Sequence, residues 1–132
     1  MPAPALDAHA LLVYLEREEG FAKVRDHFTH ALSEGDLLPM TTVNIGEVLY
    51  IVRREQGATK ADEIEGVIRP LPIVLVDVDL ILAREAARFK AAGGLSYADC
   101  FAAALASLRQ ISLLTGDSEF EKVETEIEIE WL

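Results

Sequence analysis

Cysteine is almost absent from this chain. A lone Cys100 among 132 residues excludes an internal disulfide and leaves no thiolate cluster for a structural zinc ion. Long apolar runs are missing too. About half the residues are apolar (51%), yet no stretch approaches the roughly 18 consecutive apolar residues of a membrane span. The opening Met1-Pro2-Ala3-Pro4-Ala5 has neither a basic n-region nor a long apolar segment, so no secretory signal is expected and a bacterial or archaeal cytoplasm is the simplest home. Positive charge is scarce: 12 Lys and Arg stand against 23 Asp and Glu, a formal net charge of −11. That balance argues against a protein that grips nucleic acid through a basic surface, and it favours a basic protein partner. Part of the excess belongs to one end, where Glu119, Glu121, Glu124, Glu126, Glu128 and Glu130 crowd together. Arg53-Arg54 and the i, i+4 pair Arg84 and Arg88 read as solvated helix faces. With no internal repeat, low-complexity tract or linker, residues 1–132 are expected to form one domain.

What is present is an alternation of strand-like and helical segments. Ala5-Leu6 ends a short first strand, and apolar residues at helical spacing predict a helix over 8–19, stopped by Gly20. A second helix over 21–33 places Val24, Phe28, Ala31 and Leu32 on one side, with Gly35 as its break. A strand over 37–42 follows, then a helix opened by Asn44 and ended by Gly57, and another over 60–69 ended by Pro70. Ile73-Val74-Leu75-Val76 is continuous and β-branched, the pattern of a buried parallel strand. Asp79 begins a helix to Ala92, and Ser96 opens an Ala-rich helix to Arg109. A strand over 111–115, a short helix over 118–123 and an alternating strand over 127–131 close the chain. Strands separated by helices predict right-handed crossovers and a mostly parallel central sheet with helices on both faces, a three-layer α/β/α sandwich.

Four acids fall at strand-to-helix handovers: Asp7, Glu47, Asp99 and Asp117. In an open α/β sheet ligands bind beyond the carboxyl ends of the strands, so these carboxylates can converge on one crevice. Each has a structural alternative. Asp7 and Asp117 fit simple N-caps, while Asn44-x-x-Glu47 and Ser96-x-x-Asp99 fit capping boxes. Capping alone gives no reason for the repeated placement. Helix N-termini favour ionised carboxylates, and hard oxygen donors without a Cys or His cluster point to Mg²⁺ or Mn²⁺. Such ions activate water and stabilise the leaving oxygen in phosphodiester cleavage. Among the remaining candidates, His27 and His30 lie i, i+3 on a helix and either share a metal or form an amphipathic face. His9, two residues after Asp7, either contacts substrate or bonds locally. Cys100 reads as buried packing, and Asp77 with Asp79 as a strand end and a helix cap.

The segments Leu6-Asp7-Ala8-His9-Ala10-Leu11-Leu12, Asn44-Ile45-Gly46-Glu47-Val48, Leu95-Ser96-Tyr97-Ala98-Asp99-Cys100-Phe101-Ala102-Ala103-Ala104 and Leu114-Thr115-Gly116-Asp117-Ser118-Glu119-Phe120 resemble the PIN-domain ribonucleases. Within them the likeness is to the VapC toxins of VapBC toxin–antitoxin systems. The resemblance implies an acidic pocket that holds Mg²⁺ or Mn²⁺ and cuts RNA, with Asp7 and Asp99 the firmest metal ligands and Glu47 and Asp117 completing the set directly or through water. It makes Thr115 the polar residue before the last acid. His9 departs from the Ser or Thr common at its position. The resemblance further implies a homodimer restrained by a cognate VapB-like antitoxin, for which the helix Val48 to Arg54 and its neighbour through Ile68 would form a groove. Leu49, Val52, Ile64 and Val67 have a core reading as well. Competing readings fit less well. A haloacid-dehalogenase phosphatase needs a second Asp where His9 stands, and a receiver domain needs an acidic pair after the first strand and a late Lys. A PIN-like module that only binds protein or RNA would be marked by loss of a pocket acid, and all four are present.

Overall fold

The computed structural model describes residues 2–132. The elements run β1 (Ala5–Leu6), α1 (Ala8–Glu16), α2 (Phe21–Glu34), β2 (Leu38–Thr41), α3 (Thr42–Gln56), α4 (Ala58–Ile68), β3 (Ile73–Val76), α5 (Leu80–Ala92), α6 (Tyr97–Arg109), β4 (Leu113–Thr115), a 3₁₀ turn (Ser118–Val123) and β5 (Ile129–Trp131). Every strand pairing among the described residues is parallel. Ala5 and Leu6 of β1 lie opposite Leu113 and Leu114 of β4, β4 pairs β5, and β2 pairs β3 from Leu38 opposite Ile73 to Thr41 opposite Val76. The ladders form two pieces, β1-β4-β5 and β2-β3. Since β2 also lies against β1, the pieces stand side by side in the order β3-β2-β1-β4-β5.

Successive strand residues point to opposite faces of a pleated sheet, and here the pleat divides the core in two. Ala5 and Leu113 face a cluster with Leu82, Ala86 and Phe89 of α5 and the buried run Cys100 to Ala106 of α6. Leu6 and Leu114 face the other way, onto Leu11 of α1, Val24 and Phe28 of α2 and Val48 of α3. The result is the α/β/α sandwich expected from the alternation of segments. Small residues let α6 pack close: Ala102, Ala103 and Ala104 are fully buried.

Several local expectations are corrected. The helix predicted over 8–19 ends at Glu16, where Arg17 turns left-handed (φ 54°) and caps it; Gly20 (φ 100°) is the N-cap of α2 instead. Leu32, expected on the buried side of α2, is 70% exposed. Ile73 to Val76 forms the strand but at the sheet edge, with Leu75 54% exposed. Both faces of a central parallel strand are covered, whereas an edge strand with the same sequence pattern is not. Among the described residues no single helix is long and apolar enough to cross a membrane.

Leu114→Ala should cost about 2–5 kcal/mol, the range for emptying a packed core site, whereas Leu32→Ala should stay within about 0.5 kcal/mol of wild type. Urea melts of the two variants check this, and equal losses would contradict the burial pattern.

Candidate active site

Because the strands run parallel, their carboxyl ends share one edge, where ligands of open α/β sheets bind. Asp7 follows β1 directly and is 1% exposed. It caps α1, its Oδ1 accepting the Ala10 N–H at 2.7 Å, while its Oδ2 accepts from the Thr115 hydroxyl at 2.5 Å. Thr115 Oγ1 also accepts the Asp117 N–H at 3.0 Å, and Asp117 Oδ1 accepts the Glu119 N–H at 3.0 Å. An unbroken series of bonds therefore ties the end of β1 to the end of β4. For Asp7 and Asp117 capping is real, and it leaves their placement at the edge intact.

Glu47 and Asp99 are held differently. Thr41, not Asn44, caps α3: its hydroxyl oxygen accepts the Asn44 N–H at 3.1 Å and its proton goes to Asn44 Oδ1 at 2.5 Å. The capping box expected for Asn44 and Glu47 does not form, because the helix starts earlier and Glu47 falls in its second turn. Glu47 Oε1 is buried without a hydrogen-bond partner. Asn44, fully buried, donates from Nδ2 to the Ala98 carbonyl at 3.0 Å, which staples α3 to the start of α6 beside Asp99. Ser96 caps α6 by accepting the Asp99 N–H at 3.1 Å. The Asp99 carboxylate makes no return bond to the Ser96 N–H, so only half of that box exists.

Electrostatics joins the four acids. Burial pushes Asp7 up to about 7; the bonds from Thr115 and Ala10 oppose the rise, and the charges of Asp99 and Asp117 add to it. Glu47 is raised by burial and then by Asp99, with the Asn44 side chain opposing and Asp117 adding. Asp99 is raised by burial and by Asp117, with Ser96 opposing. For Asp7 the expectation that a helix N-terminus keeps the carboxylate ionised is thus corrected, because desolvation outweighs the N-terminal N–H groups. Among the described residues none of the four joins an ion pair, while Glu65, Glu85 and Glu119 each pair with a basic neighbour. A neighbourhood of unpaired carboxylates with an unsatisfied buried oxygen is the donor chemistry of a hard divalent cation. Among the described residues no three His, Cys, Asp or Glu side chains already close around one point.

The other candidates resolve plainly. His27 Nε2 lies 2.6 Å from Glu130 Oε2, and His30 is exposed. Cys100 is a buried free thiol raised above its usual pKa chiefly by burial. Asp79 caps α5 by accepting the Leu82 N–H at 2.8 Å. Sequence reading missed Thr41 and Asn44 as a buried brace, although Thr-x-x-Asn after a strand is itself a capping signal. It also missed Lys122, whose Nζ donates to the Gly94 carbonyl at 2.9 Å and whose stem fills the space where a Cβ of Gly94 would stand. That contact clamps the turn before α6 to the 3₁₀ turn after Asp117.

Comparison with known proteins agrees with this architecture. The PIN domain family profile matches residues 5–126. Solved structures with the same fold include a chain of the DNA-bound VapBC complex of Salmonella typhimurium, 20% identical over 98% of both chains with a TM-score of 0.75. A chain of Rickettsia felis VapBC2 bound to a promoter DNA fragment is 10% identical over 97% of both, with a TM-score of 0.73. Mycobacterium tuberculosis VapC20, a sarcin-ricin loop cleaving toxin, is 12% identical, covering 89% of this chain and 92% of its own, with a TM-score of 0.68. No curated protein matches.

The raised Asp7 makes a signed stability prediction. Below about pH 4 both folded and unfolded chains hold its proton; between there and about 7 only the folded chain does. The stabilisation is therefore fully present at low pH and lost as pH rises through 7. It amounts to about 4 kcal/mol at the outside, at about 1.4 kcal/mol per pKa unit. In chelator, stability should fall from pH 5 to pH 8, and Asp7→Asn should flatten that slope. Chemical denaturation across this range checks it; a wild-type slope of the opposite sign would remove the uncompensated-carboxylate account.

Proposed function

Since the chain belongs to the PIN domain family, we propose that it is a metal-dependent endoribonuclease and the toxin of a cytoplasmic toxin–antitoxin pair. The observation that carries the reading is the set of four unpaired carboxylates at one sheet edge, with Glu47 Oε1 buried and unsatisfied. Asp7 and Asp99 would hold Mg²⁺ or Mn²⁺, with Glu47 and Asp117 contributing directly or through water. An ion that retains several waters, as Mg²⁺ usually does, suits acids that do not close into a cage by themselves. When bound, it supplies Lewis acidity towards the phosphodiester and lowers the pKa of a coordinated water. The chain does the positioning. Thr115 fixes the Asp7 carboxylate, Asn44 holds the Glu47 helix against α6, and Lys122 keeps the two acid-bearing turns together.

A basic antitoxin segment is the proposed protein partner. Val48 and Val52 are core, so the groove expected along α3 is narrower than the sequence alone allowed. What remains open is an apolar channel lined by Ile45, Leu49, Ile68, Ile73 and Leu75, rimmed by Glu65 and Arg69. A second copy of the chain would use the exposed Leu80 and Ile81 at the start of α5, beside the edge strand.

Purified protein freed of partner should cut single-stranded RNA in Mg²⁺ or Mn²⁺ and stop in chelator. Asp7→Asn and Asp99→Asn should each lower cleavage at least about 100-fold, since an amide is a neutral and poorer ligand for a hard cation. Gel assays decide it, and cutting that survives chelation or both substitutions would end the metal mechanism. The same Asp99→Asn protein should melt higher than wild type in chelator, because it removes one repelling charge, and lower than wild type in Mn²⁺. The antitoxin should associate more slowly as salt rises; a salt-independent rate would exclude charge steering.

A further inference from the structure

His9 stands outside the acidic set, yet its ring is built into the same edge. The Gly116 N–H donates to His9 Nδ1 at 3.3 Å. A Cβ on Gly116 would lie 2.7 Å from His9 Cε1 and 3.2 Å from Nδ1. The imidazole therefore rests on bare backbone between Thr115 and Asp117, in space that only glycine leaves free. A neutral imidazole that accepts at Nδ1 carries its proton on Nε2. His9 is nonetheless exposed, so the face of the ring turned away from Gly116 is open to solvent. The ring thus lies over the end of β4, two residues after Asp7 in sequence and against the glycine that precedes Asp117.

We propose that His9 is a substrate-binding residue of this site, donating from Nε2 to a non-bridging phosphate oxygen of single-stranded RNA. The proposal rests on the ribonuclease reading. An edge crowded with carboxylates repels a polyanion, and a Lys or Arg placed there would pair with Asp99 or Asp117 and be consumed by them. A neutral N–H donor attracts phosphate without that competition. With the Nδ1 lone pair occupied by the Gly116 N–H and the proton on Nε2, His9 is also unsuited to act as a metal ligand, which separates its role from that of the acids.

The test uses His9→Ala, His9→Gln, Gly116→Ala and the double variant His9→Ala/Gly116→Ala in the full chain. Three readouts are taken: steady-state RNA cleavage in Mn²⁺, anisotropy of a fluorescein-labelled single-stranded RNA in the non-cutting Asp99→Asn background, and the Mn²⁺-induced melting shift. His9→Ala should raise KM and the RNA Kd about tenfold, the loss of one hydrogen bond to a charged group, with kcat changed less than about threefold. His9→Gln, which keeps an N–H at similar reach, should recover most of the loss. Gly116→Ala should reproduce the loss by displacing the ring and add nothing in the double variant, as coupled positions do. The Mn²⁺ shift should be unchanged throughout. An RNA Kd within about twofold of the parent for His9→Ala, additive losses in the double variant, or a Mn²⁺ shift lost with His9 would each overturn the proposal. If the wild type fails to cut RNA while the labelled RNA still binds in a His9-dependent way, the ribonuclease reading falls and the phosphate contact stands. If the parent binds no RNA, both fall.

Discussion

Parallel strand pairing is the constraint from which the rest follows. Because all the paired strands point one way, the segments that leave them, with Asp7, Glu47 and Asp117, must meet at a single edge, and the turn into α6 brings Asp99 to it. The edge is then a place where negative charge collects under partial burial, which is unfavourable in itself. The surrounding polar groups make sense as the means of holding it. Thr115, Asn44 and Lys122 each tie one acid-bearing segment to another part of the chain, and Ser96 caps the helix that carries Asp99. Keeping charge at this edge carries a structural cost, which proton uptake at Asp7 relieves and which a ligand of opposite sign would also relieve.

How much of this was legible in the sequence depends on the type of signal. Element order and the three-layer arrangement were readable from periodicity, since alternating strands and amphipathic helices admit few other architectures. The acids at the handovers were readable because capping chemistry and ligand geometry place them at the same positions. What periodicity could not supply was lateral position. Ile73 to Val76 has the composition of a central strand and lies at the edge, because nothing local encodes how many neighbours a strand has. Leu32 fits the helical stripe of α2 yet stands 70% exposed, because spacing alone does not show how far the covering layer extends. Asn44 was legible as a polar residue near a helix start, but its bond to Ala98 joins positions 54 residues apart and has no local signature. Burial of the carboxylates, which reverses the expected effect of the helix N-termini on Asp7, is likewise a property of the assembled layers.

The distribution of charge separates two kinds of acid. Some surface carboxylates are answered within a turn, Glu65 by Arg69, Glu85 by Arg88 and Glu119 by Lys122, while others such as Glu16, Glu34 and Asp62 are simply exposed to water. Exposed pairs of this kind contribute little to stability and screen one another. At the sheet edge the acids go unanswered by any basic side chain, and the polar neighbours that do reach them are hydroxyls, an amide, backbone N–H groups and one imidazole. The net charge of −11 is therefore less informative than its arrangement. A polyanionic substrate meets its strongest repulsion at the place where chemistry is proposed, which makes neutral donors and a bound cation more useful there than basic residues.

The bond between Thr115 and Asp7 spans 108 positions of the chain. A protein made from its N-terminus outward exposes Asp7 early and must wait for β4 before that carboxylate gains its partner, at synthesis rates of about 5–20 residues per second. Until then the first strand lacks its parallel neighbour, and Asp117 has not yet been made. An incomplete chain ending short of β4 therefore carries three of the four acids and lacks the part of the sheet that holds Asp7 and Asp117. The acid-bearing edge and the fold are therefore completed together, only when nearly the whole chain has been synthesised.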